Sequence, residues 1–231
     1  MNKSDVIITD SQFSKSEILK YLNISKEKVH VINCAVNLMN FQLNKAGTIN
    51  IFQKYNIKRP FFLFVGNLKP HKNLKVLIDA YDLLKDSFDL VIIGKSKGLL
   101  NSDEVISNIK SKESIHLLSD ITNDELPLFY KSARSFIFPS LYEGFGLPIL
   151  ESMAMGCPVI GSTSASIPEV GGDAIIYFDS KNYFELAAQM RRIAFDQNLR
   201  KKLIDKGFKQ VKKFSWKTAA RGHIELFEAL F

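Results

Sequence analysis

Two short stretches of this chain combine the residue types that handle a charged, hydroxyl-rich ligand. The first is Gly66-Asn67-Leu68-Lys69-Pro70-His71-Lys72-Asn73, where Lys69 and Lys72 follow an apolar run. Two ammonium groups at one mouth suit a diphosphate, a dianion that needs neutralising most when it departs as a leaving group. Gly66 lets the backbone turn tightly beside such a ligand. The same residues would equally make an ordinary solvated turn. The second stretch, Tyr142-Glu143-Gly144-Phe145-Gly146-Leu147-Pro148, leads to Glu151. Pro148 suits a first helical turn, where a missing N–H costs little. Backbone N–H groups converging on a helix start form an anion seat. Carboxylates aimed at that anion would repel it, so Glu143 and Glu151 fit better as acceptors from sugar hydroxyls, with the seat between them. Two Glu at this separation arise easily by chance; the strand-Gly-x-Gly-Pro-helix setting makes the pair specific.

These turns need strands and helices to hold them. Strand-like runs are Phe61–Val65, Leu90–Ile93, Ile115–Leu118, Ser135–Phe138, Pro158–Gly161 and Ala174–Phe178. Most are continuously apolar, as strands covered on both faces are. Helical stretches lie between them at Asn73–Lys85, about Asp103–Lys110, Asn123–Ser132 and Pro148–Met155. Asn73 is placed to cap the first, and Thr122 with Glu125 reads as a capping box. The alternation predicts an α/β fold: a Rossmann-like parallel sheet with helices on both faces. After Phe178 the pattern is all helical, at Tyr183–Phe195, Leu199–Phe214 and Lys217–Ala229. Ligands of such sheets bind beyond the carboxyl ends of the strands, where both turns fall.

The first forty residues differ. Val6–Thr9 and Val29–Ile32 read as lone strands, and Ser14 with Glu17 as a capping box opening a helix to Leu22. These pieces cannot bury their own apolar faces, so they read as the tail of another domain. The expected division is residues 1–39 as remnant and linker, 40–214 as a ligand-binding domain, and 215–231 as a helix crossing back.

Composition narrows the class. The chain has 231 residues, 46% hydrophobic, enough for one good core. No apolar run approaches the ~20 residues of a membrane span, and the opening residues lack a signal-peptide core. Cys34 and Cys157, read as reduced and half-buried, and four scattered histidines offer no metal-ligand spacing. This places the chain in the cytoplasm with no metal. Net charge is +7, concentrated in residues 181–221, where twelve Lys and Arg face three acidic residues. A solvated helical face accounts for this run; its functional counterpart is peripheral contact with the anionic inner face of a membrane. Nucleic acid is excluded because no stacking aromatics are interleaved with these charges. Phe214, Trp216 and the other aromatics read as core anchors.

The run Phe138-Pro139-Ser140-Leu141-Tyr142-Glu143-Gly144-Phe145-Gly146-Leu147-Pro148-Ile149-Leu150-Glu151, followed by Met153-Ala154-Met155-Gly156-Cys157-Pro158-Val159-Ile160, closely resembles the signature of the family-four retaining glycosyltransferases. Ser166-Ile167-Pro168-Glu169-Val170, Gly172-Asp173-Ala174, Glu125-Leu126-Pro127 and Phe214-Ser215-Trp216 extend the likeness along the chain. The resemblance implies the C-terminal, donor-binding half of a GT-B fold. It implies that Glu151 grips the ribose hydroxyls of a nucleoside-diphosphate sugar. Glu143 would contact the sugar and support the developing positive charge, and Lys72 would bind the diphosphate. Backbone N–H groups of Phe145, Gly146 and Leu147 would hold phosphate or sugar oxygens, with Gly144, Gly66, Asn67 and Lys69 completing the site. Relatives often carry Arg where this chain has Asn67, which removes a bidentate phosphate clamp. Asn33-Cys34-Ala35-Val36-Asn37 likewise replaces Asn-Gly-Val-Asp, losing a glycine at the hinge. Glu169 meets either the nucleotide or a helix start.

The implied reaction is metal-independent retaining transfer from a GDP- or UDP-sugar, with mannosyl among the candidates. The sugar is a substrate, and no cofactor is called for. Its acceptor would be a glycan or lipid-linked saccharide of surface polysaccharide assembly, bound with a missing N-terminal domain or partner subunit. The alternative is a nucleotide-sugar-binding subunit without turnover, or an inactive truncated remnant.

Overall fold

A computed structural model describes residues 4–37, 50–94 and 113–230. The chain begins with β1 (Ile7–Thr9), α1 (Gln12–Tyr21), β2 (Val29–Val31) and a short α2 (Ile51–Lys54). It continues through β3 (Phe61–Val65), α3 (Leu74–Asp82), β4 (Asp89–Ile93) and β5 (Ile115–Leu118). Next come α4 (Leu126–Ser132), β6 (Ser135–Phe138), α5 (Leu147–Ala154), β7 (Val159–Ser162), α6 (Ile167–Gly171) and β8 (Ile176–Phe178). Three helices close it: α7 (Tyr183–Phe195), α8 (Gln197–Val211) and α9 (Trp216–Glu228). The helix expected at about Asp103–Lys110 lies outside the described residues.

Six strands form one parallel sheet in the order β5-β4-β3-β6-β7-β8. Successive side chains alternate across it. Phe62, Phe64, Leu90 and Ile92 pack with Leu77 and Tyr81 of α3 and Leu186 and Met190 of α7. Phe61, Leu63, Val91 and Ile93 face the other way, with Phe129 of α4, Ile149 and Met153 of α5, and Val170 of α6. Residues 61–64 are wholly out of solvent, and each such side chain contributes roughly 1.5–3 kcal/mol by burial. Cover on both faces is why these strands read as unbroken apolar runs.

The order of the sheet locates the ligand crevice. From the central β3 the chain steps outward to β4 and β5, then returns to β3's other side as β6 and steps outward again. The connections diverge between β3 and β6, which opens a crevice at the carboxyl ends of those two strands.

Several local expectations change. β4 starts at Asp89, one residue early, because the buried carboxylate accepts hydrogen bonds from the Lys58 and Arg59 N–H groups and from Arg59 Nε. Asn73 does not cap α3: it is left-handed (φ 55°, ψ 41°) and makes no capping bond. The cap of α1 is Ser11, whose side chain accepts from the Ser14 N–H, in place of a Ser14–Glu17 box. Glu125 reaches back to the Thr122 N–H as a capping box requires, but Thr122 Oγ1 also points at that carboxylate. β1 and β2 pair in parallel as a separate two-stranded sheet, and no residue of α1 is fully buried.

Trp216 is not a core anchor, being 53% exposed, and Phe184 and Phe195 also face solvent. Their positions follow the solvent faces of amphipathic helices rather than hydrophobicity. Cys157 is fully buried rather than half-buried, and burial pushes its thiol up to about 12.

Candidate functional site

Both candidate turns sit at the mouth of the crevice. After β3 the chain passes Gly66, whose N–H donates to the Ile93 carbonyl at 2.9 Å. Gly94 makes room for this: a Cβ there would lie 1.9 Å from the Gly66 carbonyl oxygen. Asn67 and Lys69 remain exposed on the outer side of the turn. A tight turn over Pro70–Lys72 then sends Lys72 inward, where only 9% of the residue is exposed.

Lys72 Nζ meets Glu143 Oε1 at 2.6 Å, with the two side chains 11% and 14% exposed. The ammonium also lies 5.2 Å from the centroid of the Phe138 ring, a favourable cation–π distance. Of the two lysines of the first turn, one therefore joins the second turn and the other stays in solvent.

The second turn follows β6. Gly146 has φ +116°, a conformation that disfavours side chains, and a Cβ there would press to 3.3 Å from Ile149. It ends the turn and starts α5, with Pro148 in the first helical turn. The Phe145 ring is buried edge-on against Phe214, so a ligand can meet this residue only through its backbone. Glu151 lies one turn into α5 and accepts from the Tyr130 hydroxyl at 2.9 Å. Burial pushes the Glu151 carboxyl up from its ordinary range, and the Tyr130 bond only partly offsets this. Burial also holds the Tyr130 hydroxyl well above its usual value, so it remains a donor.

Cross-links make the mouth one piece. The Leu141 N–H donates to the His71 carbonyl at 2.7 Å. Asn73 Nδ2 donates to the Pro139 and Ser180 carbonyls, and Ser162 Oγ to that of Ser140. Asn73 is thus a tie between strand ends, which accounts for its left-handed backbone. Ser166 Oγ lies 2.9 and 2.8 Å from the Glu143 and Phe145 carbonyls. Glu169 stands in the first turn of α6, as the helix-start reading has it, and its carboxylate also accepts from the Gln12 and Phe13 N–H groups of α1.

Gly94, Tyr130, Asn73 and Ser166 are the site's contributors that sequence reasoning missed as such. A glycine closing the apolar run Leu90–Ile93 was a usable sign of close backbone approach. Nothing local marks Tyr130, which meets Glu151 only through the packing of α4 on α5. Among the described residues no group of three His, Cys, Asp or Glu is arranged to hold a metal ion. No helix among them is long and apolar enough to cross a membrane.

An open parallel sheet with a lysine–glutamate pair at its switch point, and a Gly-Pro helix start beside it, is a Rossmann-like arrangement of the kind GT-B glycosyltransferases have. The chain belongs to the family described as Glycosyl transferases group 1, whose profile matches residues 48–210. It is 30% identical over 239 residues to the O-antigen chain mannosyltransferase B of Escherichia coli, covering 100% of this chain and 62% of that protein. O-antigen chain mannosyltransferase RfbU of Salmonella typhimurium is 30% identical over 172 residues, covering 74% of this chain and 46% of that protein. The fold is similar to a glycosyltransferase from Rickettsia africae, with a TM-score of 0.85 at 23% identity over 97% of this chain and 63% of that one. It is also similar to HepE of Anabaena solved with UDP-glucose, with a TM-score of 0.86 at 16% identity over 98% of this chain and 64% of that one. The chain therefore spans between 46% and 64% of the length of these longer relatives.

Proposed function

We propose that this chain is the donor-binding half of a retaining glycosyltransferase that uses a nucleoside-diphosphate sugar, a GDP- or UDP-sugar with mannosyl the leading candidate. The observation that carries this reading is the Lys72–Glu143 ion pair, which joins the turns at the carboxyl ends of β3 and β6 beside the start of α5. Glu151 grips the ribose hydroxyls. Lys72 and the α5 N-terminus neutralise the diphosphate in place of a divalent metal. Glu143 pairs with Lys72; a bound diphosphate would compete for the ammonium and free the carboxylate for the sugar. Retention follows from front-face attack with the leaving diphosphate as base, so no protein nucleophile is required.

The acceptor, a glycan or lipid-linked saccharide of surface polysaccharide, meets the donor from an opposing domain. Residues 1–39 belong with that domain, 40–214 form the donor domain, and the helix from 215 crosses back. The β1–β2 sheet, separate from the main one, supports this division. Exposed Lys201, Lys202, Lys209, Lys212 and Lys213 support peripheral contact with an anionic membrane.

The test is to express residues 1–231 alone and measure UDP and GDP binding beside donor-dependent transfer to lipid-linked acceptors. Binding without transfer is expected, since acceptor positioning supplies roughly 7–11 kcal/mol of such a barrier. Efficient transfer by a monomer, or no nucleotide binding, would overturn the reading.

A further inference from the structure

Three successive carbonyls of the second turn are each held by a serine hydroxyl. Ser166 takes those of Glu143 and Phe145. The one between them, Gly144, is taken from the other side of the mouth, by Ser11 Oγ at 2.5 Å and Ser14 Oγ at 3.2 Å. A trans peptide is planar, with its C=O and the following N–H pointing in opposite directions. Tying carbonyls 143, 144 and 145 therefore aims the N–H groups of Gly144, Phe145 and Gly146 away from the serines. Among the described residues none of these three N–H groups has an acceptor, although Phe145 is 4% exposed. An N–H group with no acceptor in the protein is open to one from a ligand.

We infer that the first turn of α1 is a clamp that sets the Phe145 N–H towards the donor, with Ser11, Ser14 and Glu169 as its positioning residues. This rests on the donor-site reading above and adds an element outside the main sheet to that site. Ser11 is wholly buried and does two things with one hydroxyl: it caps α1 by accepting from the Ser14 N–H and donates to Gly144. Glu169 seats the helix by accepting from the Gln12 N–H at 2.9 and 3.0 Å and from the Phe13 N–H at 3.3 Å. The Phe13 ring meets Tyr142 edge-on at 5.3 Å, closing the same contact on its outer side. Ser166 controls the neighbouring N–H groups of Gly144 and Gly146. The clamp thus divides one cradle between two parts of the molecule.

The experiment is a titration of the full chain with uridine, UDP and guanosine, GDP, read by calorimetry and by the backbone amide resonances of residues 144–146. In the wild-type chain the diphosphates shift all three amides. Ser11→Ala with Ser14→Ala is expected to abolish the Phe145 shift and weaken diphosphate binding about tenfold, leaving the nucleosides unaffected. Ser14→Ala alone keeps the helix cap and shows a smaller loss of the same kind. Glu169→Ala behaves as the double variant, while Glu169→Gln, which retains acceptor oxygens, recovers part of the loss. A nucleotide-binding chain whose Phe145 shift and diphosphate affinity survive Ser14→Ala and Glu169→Ala overturns the clamp and leaves the donor site standing. A wild-type chain that binds no nucleotide overturns both.

Discussion

Lys72 Nζ and Glu143 Oε1 lie 2.6 Å apart, joining the turns after β3 and β6 by an ion pair largely withdrawn from water. On the proposed reading a diphosphate would compete with Glu143 for this ammonium. Lys72→Ala should weaken UDP and GDP binding while sparing the free nucleosides, and the loss should shrink with added salt. It should also lower stability by roughly 1–3 kcal/mol, because Glu143 loses its bonded partner in a poorly solvated place. Adding Glu143→Gln should restore part of that stability. Equal loss for nucleoside and nucleotide would assign Lys72 to structure instead.

Glu151→Gln should weaken nucleoside diphosphate binding about ten- to a hundredfold, the equivalent of roughly 1.5–3 kcal/mol for hydrogen bonds to a charged group. Calorimetry that returns an unchanged affinity would remove Glu151 from the site.

The same residue gives binding a pH dependence. Its carboxyl is raised by burial, so it takes up a proton above the ordinary glutamate range as pH falls. Because ribose hydroxyls donate to the ionised form, affinity should fall with acidification, beginning above that range. The Tyr130 bond favours the ionised form. Tyr130→Phe should therefore move the midpoint to higher pH. A midpoint that stays in place or moves down would show that another group governs binding.

Glu125 makes the opposite prediction for stability. Burial alone would raise its carboxyl, but the bonds from Lys54, Thr122 and Tyr55 override this and hold it at about 2. Its folded value is depressed, so its contribution is present above the unfolded glutamate value of about 4.3 and lost as pH falls towards 2. Glu125→Gln should unfold more easily than wild type at pH 7, with a gap that closes on acidification. A gap constant in pH would mean the carboxylate's charge does not matter there.

Transfer catalysed by this protein should persist in excess EDTA, since Lys72 and the α5 N-terminus are the proposed counter-charges. A strict Mn²⁺ requirement in a transfer assay would contradict that assignment.

What the sequence revealed and withheld follows the range of the forces involved. Phe61–Val65 and Ser135–Phe138 were legible to the residue because burial on both faces leaves an uninterrupted apolar run. Glu143, Gly146, Pro148 and Glu151 were legible because a strand-to-helix turn imposes its chemistry within a few positions. The Tyr130–Glu151 bond was hidden, as it spans 21 positions and exists only once two helices pack. The contacts of Glu169 with α1 were hidden for the same reason: its partners there are 156 and 157 positions away. Asn73 looked like a cap because capping residues and left-handed residues draw on the same short polar side chains. Trp216 shows that size and hydrophobicity do not place a residue when its helix turns that face outward.

The ties that close the mouth, Leu141 to His71, Asn73 to Pro139 and Ser180, and Ser162 to Ser140, are all made within the protein. Ordering a slack loop around a guest consumes much of the energy released by contact. Here the rim is already cast, and the connections that set it run between backbone and short side chains with few rotamers to lose. A nucleotide settling into this seat spends its contacts on being held. On the proposed reading, that economy would let a modest set of groups, one ammonium, two carboxylates and a helix end, retain a doubly charged and strongly hydrated guest.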